Sequence, residues 1–138
     1  AEDQKFEIGK AQILQEGNDV SIFAIGHLVW EALEAAKALQ EKGIQAEVIN
    51  LATIKPLDEK AVIDSAKKTN AVVTAEEHNY YGGLGESVAR TLAQHHPTRQ
   101  EFVATQDTFG ESGKPHELLD KYGLNADAIV VKAEKLLG

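Results

Sequence analysis

The sequence predicts an α/β fold in which helices cover both faces of a mostly parallel sheet of five strands. Strand and helix patterns alternate regularly from about residue 10 to the end of the chain. The strands are short, continuous apolar runs, which are typical of strands buried on both faces. A length of 138 residues suits a single core, so we expect residues 1–138 to form one domain. The chain begins without Met, which fits either normal processing or a fragment of a longer protein.

The first third of the chain contains two strands and a helix. Residues 10–15 predict a strand, and residues 20–25 (VSIFAI) predict a second strand that Gly26 closes. Because the first strand is less apolar and a tight turn joins it to the second, we expect it to be an antiparallel edge strand. Residues 28–42 predict a helix with one apolar stripe, and Gly43 ends it.

The same alternation continues through the rest of the chain. Residues 46–51 (AEVINL) predict a third strand, and Asp58 can cap a helix that runs to residue 69. A short strand over residues 71–74 leads to a third helix, whose apolar residues share one face. The last predicted elements are a strand over residues 101–105, a short helix over residues 115–123 and a final helix that Asn125 caps.

Composition and charge exclude several classes of function. The 22 acidic residues outnumber the 14 Lys and Arg residues, and the net charge of -8 disfavours binding to nucleic acid. No apolar run is long enough to span a bilayer, so we expect no membrane partner. The absence of cysteine excludes disulfides and thiolate metal sites, and the polar first 15 residues do not resemble a signal peptide. A cytoplasmic protein is therefore expected.

Three loops are candidates for a functional site, because ligands of open α/β sheets bind beyond the carboxyl ends of the strands. The first is Gly26-His27, where the dinucleotide fingerprint and the phosphate-binding loop are both missing, so a simple turn is favoured. The last spans residues 107–113 and contains the candidate residues Asp107 and Glu111, whose spacing does not match a calcium-binding loop.

The loop between these two, EEHNYYGGLG at residues 76–85, is the most unusual segment. Two carboxylates beside a histidine could act in acid–base chemistry or bind a divalent metal, although adjacent side chains of an extended segment point in opposite directions. The glycines could leave backbone N–H groups at a helix start open to an anion, or permit close packing of the helix on the sheet. The two tyrosines favour a further interpretation, an interface loop. The candidate interface or ligand residues are Glu76, Glu77, His78, Tyr80, Tyr81, Gly82, Gly83 and Gly85.

Isolated residues add no catalytic site. Ser112 lacks the Gly-x-Ser-x-Gly context of a serine hydrolase. Trp30, early in the first predicted helix, is interpreted as a packing or interface residue. The residue patterns alone therefore assign no catalytic, cofactor-binding or metal-binding residue.

Four segments together resemble the C-terminal domain of transketolase-type thiamine diphosphate enzymes. They are GKAQILQEGNDVSIFAIG, EALEAAKALQEKGIQAEVINLATIKPLDEKAV, AVVTAEEHNYYGGLGESVA and DTFGESGKPHELLDKYGL. The resemblance covers the chain from about residue 6 to its end and is strongest to transketolases made as two separate polypeptides. It implies a three-layer α/β/α domain with a mixed five-stranded sheet whose first strand is antiparallel. The C-terminal domains of 1-deoxyxylulose-5-phosphate synthase and of 2-oxoacid dehydrogenase β subunits are similar and stay as alternatives.

The resemblance implies that this chain is a fragment of a longer protein, and it also implies what the whole enzyme does. Such an enzyme transfers a two-carbon ketol unit between sugar phosphates in the pentose phosphate pathway, with thiamine diphosphate and magnesium. Other domains hold that cofactor through a Gly-Asp-Gly motif that this sequence lacks, so the domain alone is expected to bind no cofactor and to be inactive. Expected partners are other domains or chains of the same enzyme, in a homo-oligomer such as a dimer. A stand-alone regulatory module for an anionic metabolite is the alternative from another class.

Overall fold

A computed structural model of the chain describes residues 9–77, 83–104 and 125–138. These residues contain one sheet of five strands in the order β1-β3-β2-β4-β5. The strands are β1 (Ala11–Gln15), β2 (Val20–Ala24), β3 (Ala46–Leu51), β4 (Val72–Ala75) and β5 (Gln100–Val103). Neighbouring strands from β2 to β5 pair in parallel, and β1 pairs with β3 in the antiparallel direction. The predicted mixed, mostly parallel sheet with an antiparallel first strand is confirmed.

The position of β1 in the sheet depends on a close approach of the main chain at Gly17. The tight turn before β2 predicts the direction of β1 correctly, but the partner of β1 is β3, with Ile13 opposite Ile49. A Cβ atom at Gly17 would lie 2.4 Å from the carbonyl carbon of Ala46. Because glycine has no Cβ atom, the turn between β1 and β2 can contact the main chain at the start of β3.

Four helices of the described residues cover the two faces of the sheet. They are α1 (Leu28–Glu41), α2 (Glu59–Thr69), α3 (Leu84–His95) and α4 (Ala126–Leu137). Helices α1 and α4 pack on the face that carries Ile22 and Val73, and α2 and α3 pack on the face that carries Phe23 and Ile49. In the described parts of the chain, no helix is both long and apolar enough to cross a membrane. Each face has its own apolar core, which makes the fold a three-layer α/β/α arrangement.

The helix ends follow the signals in the sequence. The Asp58 side chain accepts a hydrogen bond from the Ala61 N–H group at 3.1 Å, and Asn125 accepts one from Ala128 at 3.0 Å. Both predicted N-caps are therefore confirmed. The bounds of the described elements agree with the predicted bounds to within two residues, and the short helix predicted over residues 115–123 lies outside the described residues.

Candidate functional site

The carboxyl ends of β2, β4 and β5 lie side by side at one edge of the sheet, where the first two candidate loops begin. Ala24 pairs with Ala75, and the Ile25 N–H group donates to the Ala75 carbonyl oxygen at 3.4 Å. The Glu76 N–H group donates to the Val103 carbonyl oxygen at 3.0 Å, which joins the end of β5 to the same edge. The chain leaves β2 toward α1 on one face and leaves β4 toward α3 on the other. Such a change of face between neighbouring parallel strands opens a crevice where α/β proteins bind their ligands.

Glu76 is the first residue after β4, and its carboxylate binds the start of α3. Only 1% of the residue is exposed. One carboxylate oxygen accepts a hydrogen bond from the Leu84 N–H group at 2.8 Å, and the other accepts one from Gly85 at 2.6 Å. These amides belong to the first turn of α3, where the helix itself supplies no acceptor. Because the helix dipole also favours negative charge at this end, Glu76 acts as an internal cap of α3.

This contact decides between interpretations that the sequence leaves open. The start of α3 does bind an anion, but that anion is the Glu76 side chain. The amides of Leu84 and Gly85 are therefore not open to a phosphate or carboxylate ligand. Both Glu76 oxygens accept hydrogen bonds from these amides, so this carboxylate has a structural role at the start of α3.

Gly85 is a position where a side chain is excluded. A Cβ atom there would lie 2.4 Å from Cδ2 of Phe102 and 3.0 Å from Oγ1 of Thr74, which is closer than van der Waals contact allows. The Gln100 side chain fixes the same junction, because its Nε2 donates to Thr74 Oγ1 at 3.1 Å and to the Gly85 carbonyl oxygen at 2.9 Å. Gly83, the N-cap of α3, has a φ of -89°, which any residue can adopt. Gly85 thus permits the close packing of helix on sheet that the sequence leaves as one alternative.

The structure places only part of the candidate loop residues. The candidates outside the described residues are His78, Tyr80, Tyr81, Gly82, Asp107 and Glu111. Glu76, Gly83 and Gly85 form the junction between β4 and α3, and Glu77 follows this junction in a half-buried position. The interface role of the loop stays a prediction.

A cluster of buried polar side chains lies at the opposite edge of the sheet, where the parallel strands begin. It was not predicted from the sequence. Glu47 of β3 is 1% exposed, pairs with the Lys68 ammonium group and accepts a hydrogen bond from Ser65 Oγ at 2.7 Å. Ser65 Oγ also lies 2.6 Å from Ser21 Oγ on β2. The cluster therefore anchors α2 to β2 and β3. Its signal in the sequence is one charged residue within the apolar run AEVINL, because a buried carboxylate requires a partner.

Shifted pKa values mark ion pairs on the surface. A hydrogen bond to Asp64 at 2.6 Å raises the pKa of the Lys60 ammonium group. Burial alone would raise the pKa of the Glu101 carboxyl group, but Lys132 at 3.3 Å and Lys135 at 3.5 Å outweigh it and hold that pKa below its ordinary value. Within residues 9–77, 83–104 and 125–138, no three His, Asp or Glu side chains are grouped to hold a metal ion. These ion pairs connect α4 to β5 and neighbouring turns of α2, and they define no site.

Two kinds of comparison with known sequences agree. The family model described as "Transketolase, C-terminal domain" matches residues 9–129. A 6-deoxy-6-sulfo-D-fructose transketolase subunit of a Clostridium species is 47% identical over 136 residues, which cover 99% of this chain and 42% of that protein. A 1-deoxy-D-xylulose-5-phosphate synthase of Desulforudis audaxviator is 42% identical over 129 residues, which cover 92% of this chain and 20% of that protein.

A solved structure extends the comparison to the fold. It is described as "Split gene transketolase, inactive beta4 tetramer", and it matches with a TM-score of 0.93 and 46% identity. The match covers 99% of this chain and 45% of that chain. The chain therefore spans less than half the length of each of these three similar proteins.

Proposed function

This chain belongs to the transketolase C-terminal domain family, and we propose that it is the C-terminal domain of a transketolase-type enzyme that is larger than this chain. The observation that carries the proposal is the match of the family model to residues 9–129. The TM-score of 0.93 to a split-gene transketolase supports an enzyme whose domains are divided between two polypeptides. Residues 1–138 then form a single domain whose partners are the other domains or chains of that enzyme.

The proposed reaction of the assembled enzyme is transfer of a two-carbon ketol unit between sugar phosphates. Thiamine diphosphate and magnesium serve it as cofactors, as is general for this family. The sugar substrate is left open, because one relative is named for a sulfonated fructose. The proposed setting is the pentose phosphate pathway in the cytoplasm, with the enzyme as a homo-oligomer such as a dimer.

The described residues do not fit a site for thiamine diphosphate. Amides at a helix N-terminus are a common binding site for phosphate groups, but at this crevice Glu76 fills the start of α3. Its charge would repel a diphosphate. Among the described residues, no group of carboxylates is placed to hold magnesium. We therefore assign the cofactor to the other domains of the enzyme.

The first test is a calorimetric titration of the isolated chain with thiamine diphosphate and magnesium. We expect no binding and no turnover of sugar phosphates. Addition of the polypeptide that carries the remaining domains should restore ketol transfer, which serves as the control for a competent preparation. Micromolar binding by the isolated chain, a free energy of about -8 kcal/mol, would contradict the assignment.

A second function is favoured by one specific observation, the 42% identity to a 1-deoxy-D-xylulose-5-phosphate synthase. The two functions predict different products from the reconstituted enzyme. A ketol transferase exchanges two-carbon units between sugar phosphates, whereas the synthase forms 1-deoxy-D-xylulose 5-phosphate. Detection of that product in place of exchanged sugar phosphates would assign the chain to the synthase.

The loop that joins β4 to α3 is proposed to contact a neighbouring domain, and Asp107 and Glu111 remain candidates for the same interface. Tyrosine suits such a role, because its ring buries area while its hydroxyl group still finds a partner. We expect the double change Tyr80→Ser and Tyr81→Ser to weaken assembly while the melting temperature of the isolated chain stays the same. Sedimentation of the reconstituted enzyme should show smaller species at a given concentration.

The control for this prediction is Tyr122→Ser, which changes the one tyrosine outside the loop. It should leave assembly unchanged. If the double variant assembles normally but turns over about a hundredfold more slowly, a difference of about 2.7 kcal/mol in the barrier, the loop belongs to the active site. His78 would then be the first candidate for a catalytic role.

A further inference from the structure

Trp30 is the only tryptophan of the chain and is 65% exposed. It is the third residue of α1, whose buried residues include Leu28, Ala32 and Leu39 on the side that faces the sheet. The structure therefore excludes the packing role for Trp30 and leaves the interface role. Single exposed apolar residues are common, but tryptophan has the largest apolar surface and is enriched at protein interfaces.

The surroundings of Trp30 form an open corner at the carboxyl edge of the sheet. Helix α1 starts directly after β2, the central strand of the sheet, and Gly26 and His27 at that turn are both exposed. A Cβ atom at Gly26 would meet no atom within 4 Å, and the His27 side chain does not cap the helix. Across the crevice lies the junction where Glu76 binds α3. The end of β2 adjoins the end of β4, because the Ile25 N–H group donates to the Ala75 carbonyl oxygen, so the corner starts beside the strand end from which the predicted interface loop begins.

We propose that this corner, made of Gly26, His27 and Trp30, is the surface on which a neighbouring domain of the same enzyme docks. Trp30 is the central apolar contact, and it requires an apolar pocket with an acceptor for the indole N–H group. The inference rests on the proposed function. More than half the length of each similar protein lies outside the matched region, so a large part of the enzyme must be placed around this domain. A second copy of this chain is the alternative occupant, and self-association of the isolated chain that Trp30→Ala abolishes would overturn the assignment to a neighbouring domain.

The test is assembly of this chain with the separately expressed polypeptide that carries the remaining domains. The chain is labelled with fluorotryptophan, so that fluorine NMR reports on Trp30 even if the partner contains tryptophan. On assembly, the resonance should shift and become protected from a soluble paramagnetic agent. Trp30→Ala should weaken assembly by roughly thirtyfold or more, as at an interface hot spot, and Trp30→Phe should weaken it less.

The matched control is Leu137→Ala, which truncates an exposed apolar residue at the opposite end of the domain, where α4 ends. It should leave assembly unchanged, and circular dichroism should show unchanged melting of both alanine variants. If the wild-type chain assembles while Trp30→Ala assembles equally well, or while the fluorine resonance stays accessible, the inference about Trp30 is wrong and the proposed function stands. If the wild-type chain does not assemble with the remaining domains, the proposed function fails and the docking surface fails with it.

Discussion

Replacement of Glu76 with Ala is expected to lower the free energy of unfolding by about 3 kcal/mol, because the change leaves two buried N–H groups without an acceptor. Those groups belong to Leu84 and Gly85, and both donate to the Glu76 carboxylate. Hydrogen bonds to an ionised acceptor are about twice as strong as neutral ones, and this carboxylate also compensates the helix dipole. The melting temperature of the isolated chain should fall by roughly 10 °C, which calorimetry or circular dichroism can measure.

Glu31 offers a matched comparison within the same molecule. It lies on α1 and accepts a hydrogen bond from the Ala126 N–H group at the start of α4, at 3.1 Å, but it is only half-buried. Water can replace this single contact, so Glu31→Ala should cost only about 1 kcal/mol. Glu76→Gln keeps the side-chain volume and one acceptor oxygen, but its NH2 group would face the second backbone N–H group, which also donates. The stability of this variant should therefore lie between those of wild type and Glu76→Ala. Equal melting temperatures for Glu76→Ala and Glu31→Ala would mean that Glu76 is not the main cap of α3.

Small carboxylates provide a more specific readout of the same contact. Formate fits the space of the removed carboxylate and would bind the folded state of Glu76→Ala in preference to the unfolded state. Mass action then raises the melting temperature of that variant as formate is added. Glu31→Ala and wild type should not respond beyond a general salt effect. Such a rescue would show that the start of α3 is an anion site that the chain fills from within.

The secondary structure was predictable because its signals are local. All five residues of β2 are buried, as a continuous apolar run implies, and Asp58 and Asn125 cap helices within three residues of their own positions. The place of β1 beside β3 was not predictable in the same way. It depends on the approach of Gly17 to Ala46, two residues that are 29 positions apart.

For the candidate site too, features set by neighbouring residues were predictable, whereas contacts between residues distant in sequence were not. The pattern of residues 76–85 identified the segment, and the period of two in β4 explains why Glu76 reaches α3. Val72 faces the core formed by α2 and α3, and Glu76 continues the same alternation. The role of Gly85 could not be predicted from local pattern, because it depends on Phe102, a residue of another strand. Glu47 was missed for the same reason, since its partners Ser65 and Lys68 lie 18 and 21 residues away.

Replacement of Gly85 with Ala is expected to destabilise the domain by about 2 kcal/mol, the range of overpacking in a filled core. Alanine is a better helix former than glycine by up to about 1 kcal/mol, so helix propensity alone predicts that Gly85→Ala stabilises the domain. The loss arises because the new methyl group would lie 2.4 Å from the Phe102 ring and 3.0 Å from Thr74 Oγ1. Urea unfolding of the isolated chain measures the difference.

A double-mutant cycle with Phe102→Ala shows whether the ring is the cause. Phe102→Ala alone removes apolar contacts and destabilises, but in the Gly85→Ala background it also removes the clash. The two changes together should therefore cost less than the sum of the single changes, with a coupling of about 1 kcal/mol or more. Gly17→Ala is the control, because its methyl group would meet the main chain of Ala46 at 2.4 Å, which no change at Phe102 can relieve. If Gly85→Ala is as stable as the parent, α3 does not pack on the sheet as closely as this contact requires, and the glycine has no structural role there.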